Sequence, residues 1–505
     1  MLLRDMLAFA AARYPERTAI VDGERRYTYA AWTARVDAVA HALRAQGVGR
    51  GDHVVQVTRN REEHCAVAFA CYALGAINTP LNFRWTSGEI EYCVNDAQAR
   101  LVVFEPSTAE QVLAGQFASQ PRMLCLGQAF EEMVAAMPST PPEARLKEAD
   151  PALMLYTSGT TGRPKGVPRS QANEYAATIG QIVQHQYVLG ERTLGIMPLY
   201  HTMGVHSLSA MLALNGLFVA MPEWDAPAAL RLIQTERLTC LYLVPTLFHM
   251  LVHAPSFEAY DVSSVRKLSY AGAPMLSTLV EDCVRRFRPD VFVNHYGSTE
   301  IYSFSICDDA RQKPGCAGRA AFHTALRVVR ADAEPTVRPD EVVAPGETGE
   351  VIVSLTSPEA FGGYFKRPEA TARAIRDGWY FSGDTGHLDV DGDLWVTGRV
   401  DDMIITGGEN VQPVEVEEVL ARAPGVREVA VVGLPDERWG QVVAAFIVPA
   451  SADVRLQDIE DFVASSGQLA RYKRPRQMTL VNEIPKSPVG KILRRLLVAG
   501  EYQPR

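Results

Sequence analysis

Apolar and polar positions alternate along this chain in two rhythms. Over Met1–Tyr14, Leu2, Leu3, Met6, Leu7 and Ala10 recur at helical spacing, Arg4 and Asp5 break the run, and Pro15 closes it. That pattern predicts an amphipathic surface helix rather than a signal peptide. The same period predicts helices over Ala30–Gln46 and Leu276–Phe287, whereas Leu101–Phe104 and Leu241–Val244 read as short buried strands. Strands alternating with longer helices predict an α/β fold in layers. Pro138–Pro151, with four prolines, reads as an exposed connector.

The grammar changes towards the C-terminus. Trp379–Arg399 holds an Asp391-Gly392 turn between β-prone stretches, and Asp401-Asp402 opens a new run. Beyond that pair the pattern predicts a strand at Met403–Ile405, a Gly407-Gly408 turn, a helix opening at Pro413 and stopping before Pro424, and a strand at Glu428–Val432. The expected organisation is a large domain of layered α/β subdomains over 1–400 and a small, mobile α+β domain over 401–505.

Composition changes this picture in three ways. A length of 505 residues allows about three structural units. A net charge of −9 disfavours general affinity for nucleic acid or anionic membrane, so any phosphate ligand must be held locally. The eight cysteines contain no C-x-x-C pair and are expected to be reduced thiols in a cytoplasmic protein. No apolar run approaches the roughly 18 residues of a membrane-spanning helix.

The most informative segment is Leu153–Gly166, an apolar strand leading into a loop built from Gly, Thr, Ser and Lys. Glycines let backbone N–H groups converge, the hydroxyls of Thr157, Ser158, Thr160 and Thr161 add donors, and Lys165 adds charge, which suits a phosphate. It is not a Walker A loop, because Gly159 and Gly162 stand too close and Gly166 comes after the lysine.

Further along the chain come, in order, Tyr296-Gly-Ser-Thr-Glu300, Ser382-Gly-Asp384, Gly398-Arg-Val-Asp-Asp-Met-Ile404 and Pro485-Lys-Ser-Pro-Val-Gly-Lys491. In that order the motifs resemble the adenylate-forming acyl-CoA synthetases over essentially the whole chain. Asp436–Gln441 and the length are similar to the aryl-CoA ligases of the 4-chlorobenzoate type. The resemblance implies an AMP-forming acid:CoA ligase. A carboxylate attacks the α-phosphorus of ATP to give acyl-AMP and pyrophosphate, and the thiol of coenzyme A then displaces AMP. Bringing anions together calls for positioning and charge neutralisation, with no protein nucleophile.

The same resemblance assigns roles residue by residue. Thr157, Ser158, Gly159, Thr160, Thr161, Gly162 and Lys165 surround the ATP phosphates; Thr299 approaches the α-phosphate, Tyr296 packs on adenine, and Glu300 holds Mg²⁺. Asp384 takes the ribose hydroxyls, Arg399 a phosphate or ribose, Asp401 is the interdomain hinge, and Lys491 is the adenylation lysine. Gly407, Gly408 and Trp439 flank a pantetheine tunnel, and Arg84, Tyr472 and Arg474 meet the CoA nucleotide. His201 stands at the acyl entrance; His201 and His206 lack zinc spacing. The cluster Asp389, Asp391 and Asp393 has its glycine misplaced for an EF-hand and reads as a hairpin turn.

Met203, Val205, Phe248, Gly272, Ala273, Pro274, Met275, Ile301 and Tyr302 are the candidate acyl pocket, mostly apolar and without the acidic residue that holds a substrate ammonium in amino-acid-adenylating relatives. The pocket implies a hydrophobic monocarboxylic acid, aromatic first, with bulky alicyclic and medium-chain acids behind it. Two other readings stand beside the ligase: transfer to a separate carrier protein, and a non-catalytic nucleotide or acyl sensor. One departure from the family pattern is Arg169-Ser170-Gln171, where Thr-His is common.

Overall fold

The structure is a computed structural model that describes residues 1–157, 163–331, 336–400, 402–406, 409–486 and 492–505. The described strands form four sheets. A six-stranded sheet runs Arg122–Cys125, Leu101–Phe104, His53–Val57, Ile77–Pro80, Pro151–Thr157, Lys165–Ser170. Its strands are parallel except for the last pair, an antiparallel hairpin. A nine-stranded sheet carries Arg192–Gly195, Cys240–Leu243, Lys267–Tyr270 and Val291–Tyr296 at its centre, all parallel. Parallel strands need coverage on both faces, which explains their continuous apolar runs.

Helices supply that cover. Leu3–Arg13 buries Leu3, Met6, Leu7 and Ala10, the stripe read from sequence. Glu62–Leu74 is buried on all sides, and Ser277–Phe287 presents one apolar face. Gln171–Gln184 comes directly after the hairpin, opened by a capping box in which Ser170 Oγ accepts from Asn173 N at 3.1 Å. Ser170 thereby gives the helix a hydroxyl cap, and neighbouring Gln171 accepts from Leu3 N at 3.1 Å and donates to Tyr72 O at 3.2 Å. The departure at 169–171 is thus locally self-consistent.

A five-stranded antiparallel sheet contains Trp379–Leu388 paired with Leu394–Arg399, joined through the predicted Asp391-Gly392 turn. A second five-stranded sheet, Ile404–Thr406 to Gln477–Leu480, packs on Pro413–Leu420 and Leu456–Ser466 as a separate apolar core. Two details differ from the sequence reading: Glu409–Val411 is a strand pairing with Ile404–Thr406, and the strand expected at Glu428–Val432 extends over Val426–Asp436. All eight cysteines are free thiols, and among the described residues no helix is long and apolar enough to cross a membrane.

Candidate active site

The hairpin positions the first group. Ala152–Tyr156 are buried in the six-stranded sheet, and Thr157 is in register with Lys165, so the two ends of the Gly/Thr-rich loop stand opposite each other. Ser158, Gly159, Thr160, Thr161 and Gly162 lie outside the described residues. Lys165 Nζ stands 4.4 Å from the centre of the Tyr364 ring. Tyr364 Oη donates to Glu300 Oε1 at 2.6 Å, so Lys165, Tyr364 and Glu300 form one group.

Glu300 gets there by a tight turn after Val291–Tyr296. A Cβ on Gly297 would lie 1.8 Å from Tyr302 O, so this turn requires glycine. Ser298 Oγ accepts from Glu300 N at 3.2 Å and Ser298 N donates to Ile301 O at 2.9 Å. The turn is held from behind by Arg169, which is fully buried. Arg169 Nη1 donates to the carbonyls of Thr299 at 3.1 Å and Glu359 at 3.0 Å, with Glu300 O at 3.4 Å, while Nε pairs with Glu174. Glu300 itself is 7% exposed, and among the described residues Tyr364 is its one side-chain partner. A buried carboxylate with one oxygen engaged and the other left to accept suits a divalent cation that keeps most of its waters.

The second group sits on the hairpin Trp379–Leu388 and Leu394–Arg399, where Asp384 is in register with Arg399. Asp384 Oδ1 accepts from Arg399 Nη1 at 2.6 Å and Oδ2 accepts from Tyr296 Oη at 2.6 Å. Burial opposes the Arg399 charge, but Asp384 holds the guanidinium above its usual range. Burial, reinforced by Asp384, pushes the Tyr296 hydroxyl well up, so it stays a donor. Arg399 also acts electrostatically on Tyr364, which links the two groups.

The third set is on the C-terminal domain. Trp439 is partly buried between Arg438 and Arg476, whose guanidinium carbons are 4.9 and 4.5 Å from its ring. Arg474 Nε donates to Leu469 O at 3.2 Å, and Tyr472 is exposed. Asp401, Gly407, Gly408 and Lys491 lie outside the described residues; the flanking Lys486 and Ile492 pair as an antiparallel bridge, and Lys486 Nζ reaches Glu428 at 2.7 Å. Arg84 is exposed on the large domain, 5.0 Å from the Phe83 ring. Its charge acts on Tyr200, whose hydroxyl burial pushes up to about 12. Arg84 is not brought into contact with Tyr472 or Arg474.

His201 stands just before the helix Thr202–Ala213 without a side-chain bond to it, its ring 4.8 Å from that of Tyr200, and desolvation lowers it to about 4, so it is neutral. Met203, Phe248, Met275 and Tyr302 join one buried cluster with Tyr242, Ala177 and Ala271. Val205 packs instead with Leu153 and Leu155, and Ile301 with Phe304 and Phe361. Gly272 and Pro274 are exposed and Ala273 partly so. Beside the apolar cluster lie buried polar residues absent from the pocket expected on sequence: Glu174 and Gln181 from one helix, His206 from the next, and Glu359 from the segment after Ser357. The one signal for the helical pair is spacing, since Glu174, Thr178 and Gln181 fall at i, i+4 and i+7.

The triple-aspartate turn has an internal cation. Lys313 Nζ lies 3.1, 2.8 and 2.5 Å from Asp389, Asp391 and Asp393. The hairpin reading is adequate there.

The comparisons agree with this geometry. Residues 7–365 match the AMP-binding enzyme family and residues 415–491 match the AMP-binding enzyme C-terminal domain. The chain is 35% identical to an indoleacetate–CoA ligase of Aromatoleum aromaticum, covering 97% of this chain and 96% of that one. It is 36% identical to a feruloyl-CoA synthase of an Amycolatopsis species, over 95% of each. Among solved structures it superposes on an anthranilate CoA ligase in complex with anthranoyl-AMP with a TM-score of 0.91 and 26% identity, covering 99% of this chain and 97% of that one. With a matched family spanning most of its length and relatives of this identity end to end, the chain belongs to the AMP-binding enzymes.

Proposed function

We propose that this protein is an AMP-forming acid:CoA ligase for aromatic carboxylic acids. The observation that carries the reading is the joint placement of Lys165, Tyr364 and Glu300 next to Tyr296, Asp384 and Arg399 in a chain similar over its whole length to named acid–CoA ligases. In the first half-reaction a carboxylate oxygen of the acid bonds to the α-phosphorus of ATP as the bond to pyrophosphate breaks. Charge grows on phosphate oxygens, and preorganised cations lower that barrier most. Lys165 and the loop from Thr157 to Gly162 would take the phosphates, Lys491 would bridge carboxylate and α-phosphate, and Thr299 would approach the same phosphate. Asp384 would accept from the ribose hydroxyls, with Tyr296 flanking the base and Arg399 fixing the carboxylate. Glu300 would hold Mg²⁺, which supplies charge neutralisation on the phosphates.

In the second half-reaction the thiol sulfur of coenzyme A bonds to the acyl carbon and AMP leaves, the thiol proton being lost to solvent or phosphate. The two steps need different groups at one centre, so a small domain over 401–505 that turns about Asp401 would exchange them. Gly407, Gly408 and Trp439 would flank the pantetheine, with Arg84, Tyr472 and Arg474 at the nucleotide; Arg476, also beside Trp439, joins that set. A carrier-protein thiol is the second reading, favoured by 32% identity to a fatty acid–[acyl-carrier-protein] ligase of Streptomyces coeruleorubidus. AMP release measured with and without CoA tests the choice. Release that rises with CoA, and a KM for CoA raised about tenfold or more by Arg84→Glu or Arg474→Glu, supports the ligase. Release indifferent to CoA rejects it.

A further inference from the structure

We infer that the inner end of the acyl site is a hydrogen-bonding subsite that selects aryl acids with a hydroxyl on the ring, with Glu174, Gln181 and His206 as its specificity-determining residues. The inference rests on the acid-activating reading above and adds a polar wall to the mostly apolar pocket.

Four residues there are essentially inaccessible: Arg169 at 1%, Glu174 at 2%, Gln181 and His206 at 0%. Yet Arg169 Nη2, Glu174 Oε2, Gln181 Nε2 and both ring nitrogens of His206 have no hydrogen-bond partner among the described residues. An unmet buried polar atom costs about 1–3 kcal/mol, and native interiors leave few of them. Five lie in one neighbourhood, where a ligand group that donates and accepts can meet them.

The neighbourhood is continuous. His206 Nε2 is 3.6 Å from Glu174 Oε2, and the His206 ring lies on the Tyr302 ring with centroids 4.1 Å apart. Tyr302 Oη donates to Gln181 Oε1 at 2.8 Å and lies 3.2 Å from Tyr242 Oη. Tyr302 and Tyr242 also belong to the apolar cluster with Met203, Phe248 and Met275. Through Tyr302, two residues along the chain from Glu300, the polar residues therefore border the apolar candidate pocket residues.

Its chemistry is mixed. Desolvation, then the Arg169 charge, pushes His206 well below its ordinary range, so it is neutral and offers one donor and one acceptor. Gln181 Nε2 offers donors and Glu174 Oε2 an acceptor. A hydroxyl both donates and accepts, so it can meet this wall; a methyl of similar size meets none of it. A carboxylate would face two anions, Glu174 and, across Gly180, Glu359, whose Oε1 lies 2.5 Å from where a Gly180 Cβ would sit, against the one guanidinium of Arg169, which is already paired with Glu174. Sites that hydrogen-bond a substrate hydroxyl reject analogues lacking it far more strongly than apolar pockets discriminate by size.

The test is ATP–pyrophosphate exchange by the full-length protein with matched aryl acids bearing a ring hydroxyl, methyl or carboxylate at the same position, alongside melting temperature with each acid. The expected result is a kcat/KM for the best hydroxy acid at least about tenfold above its methyl and carboxylate counterparts. Gln181→Leu and His206→Phe should each bring the hydroxyl-to-methyl ratio towards one. If either variant does not fold, the wild-type ratio decides alone. Methyl or carboxylate acids matching or beating every hydroxy acid, or a ratio that survives both substitutions, overturns the inference and leaves the ligase reading standing. No exchange and no melting shift with any acid overturns both.

Discussion

The two halves of the candidate site are finished to different degrees. On the nucleotide side the carboxylates already have partners: Asp384 holds Arg399 and Tyr296, each at 2.6 Å, and one oxygen of Glu300 holds Tyr364. On the acyl side, Glu174, Gln181 and His206 leave buried polar atoms without a partner among the described residues. A partner common to every turnover can be met by geometry fixed in advance, which lowers reorganisation during reaction. A partner that sets specificity is better met by groups that only the right ligand satisfies. On the proposed roles, the chain would bind nucleotide by rule and choose among acids.

Arg169 joins the halves, so its loss should have the largest effect. Arg169→Met removes the donor to Thr299 and Glu300 carbonyls and strands Glu174, and breaking such a buried pair costs about 3–5 kcal/mol. Denaturant unfolding should show that loss, and in the surviving fold the KM for ATP and for the acid should both rise. A change confined to the acid would separate the halves again. Lys491→Ala should cost about 10²–10³-fold in adenylation and much less in thioester formation from supplied acyl-AMP. Equal losses would remove Lys491 from the first half-reaction.

Asp384→Asn sharpens the nucleotide side alone. It weakens two charge-assisted bonds, about 1.5–3 kcal/mol, and leaves Arg399 without its anion. The KM for ATP should rise while the ranking of acids stays fixed; a reordered ranking would contradict independent halves. A further effect is in pH. Burial lowers His53, His201 and His295 to about 4 and His64 to about 3. These folded values lie below the unfolded value near 6.5, so the unfolded chain takes protons first. Stability is fully present above about 6.5 and falls towards pH 4, by up to about 1.4 kcal/mol per unit for each histidine. Thermal midpoints should be flat above pH 7 and drop below 6.5; a flat profile down to pH 5 would refute the neutral assignments.

How much of this is legible in sequence depends on how the residues are grouped. Lys165, Tyr296, Glu300, Asp384 and Arg399 lie in short runs of unusual composition, and the fold brings them together. The α/β layering follows from period, because parallel strands buried on both faces read as apolar runs. Tyr364 and Glu359 give no signal, being single residues in irregular chain. Arg169 stands out in sequence only as a departure, although it alternates with buried Val167 on an inward face of its strand. Glu174 and Gln181 look from sequence like a solvated helix stripe, and only tertiary packing turns that stripe inward. Glu409–Val411 is hidden behind Gly407-Gly408, a pair that reads as a turn.

On the proposed mechanism the chain makes an acyl-adenylate before any thiol arrives. Acid-dependent exchange of labelled pyrophosphate into ATP, without coenzyme A, measures that step alone. Exchange should require ATP, a divalent cation and an aryl acid, and should fall about 10²–10³-fold in Lys491→Ala. AMP formation that occurs only with a thiol present, with no exchange in its absence for any acid that the protein consumes, would contradict it.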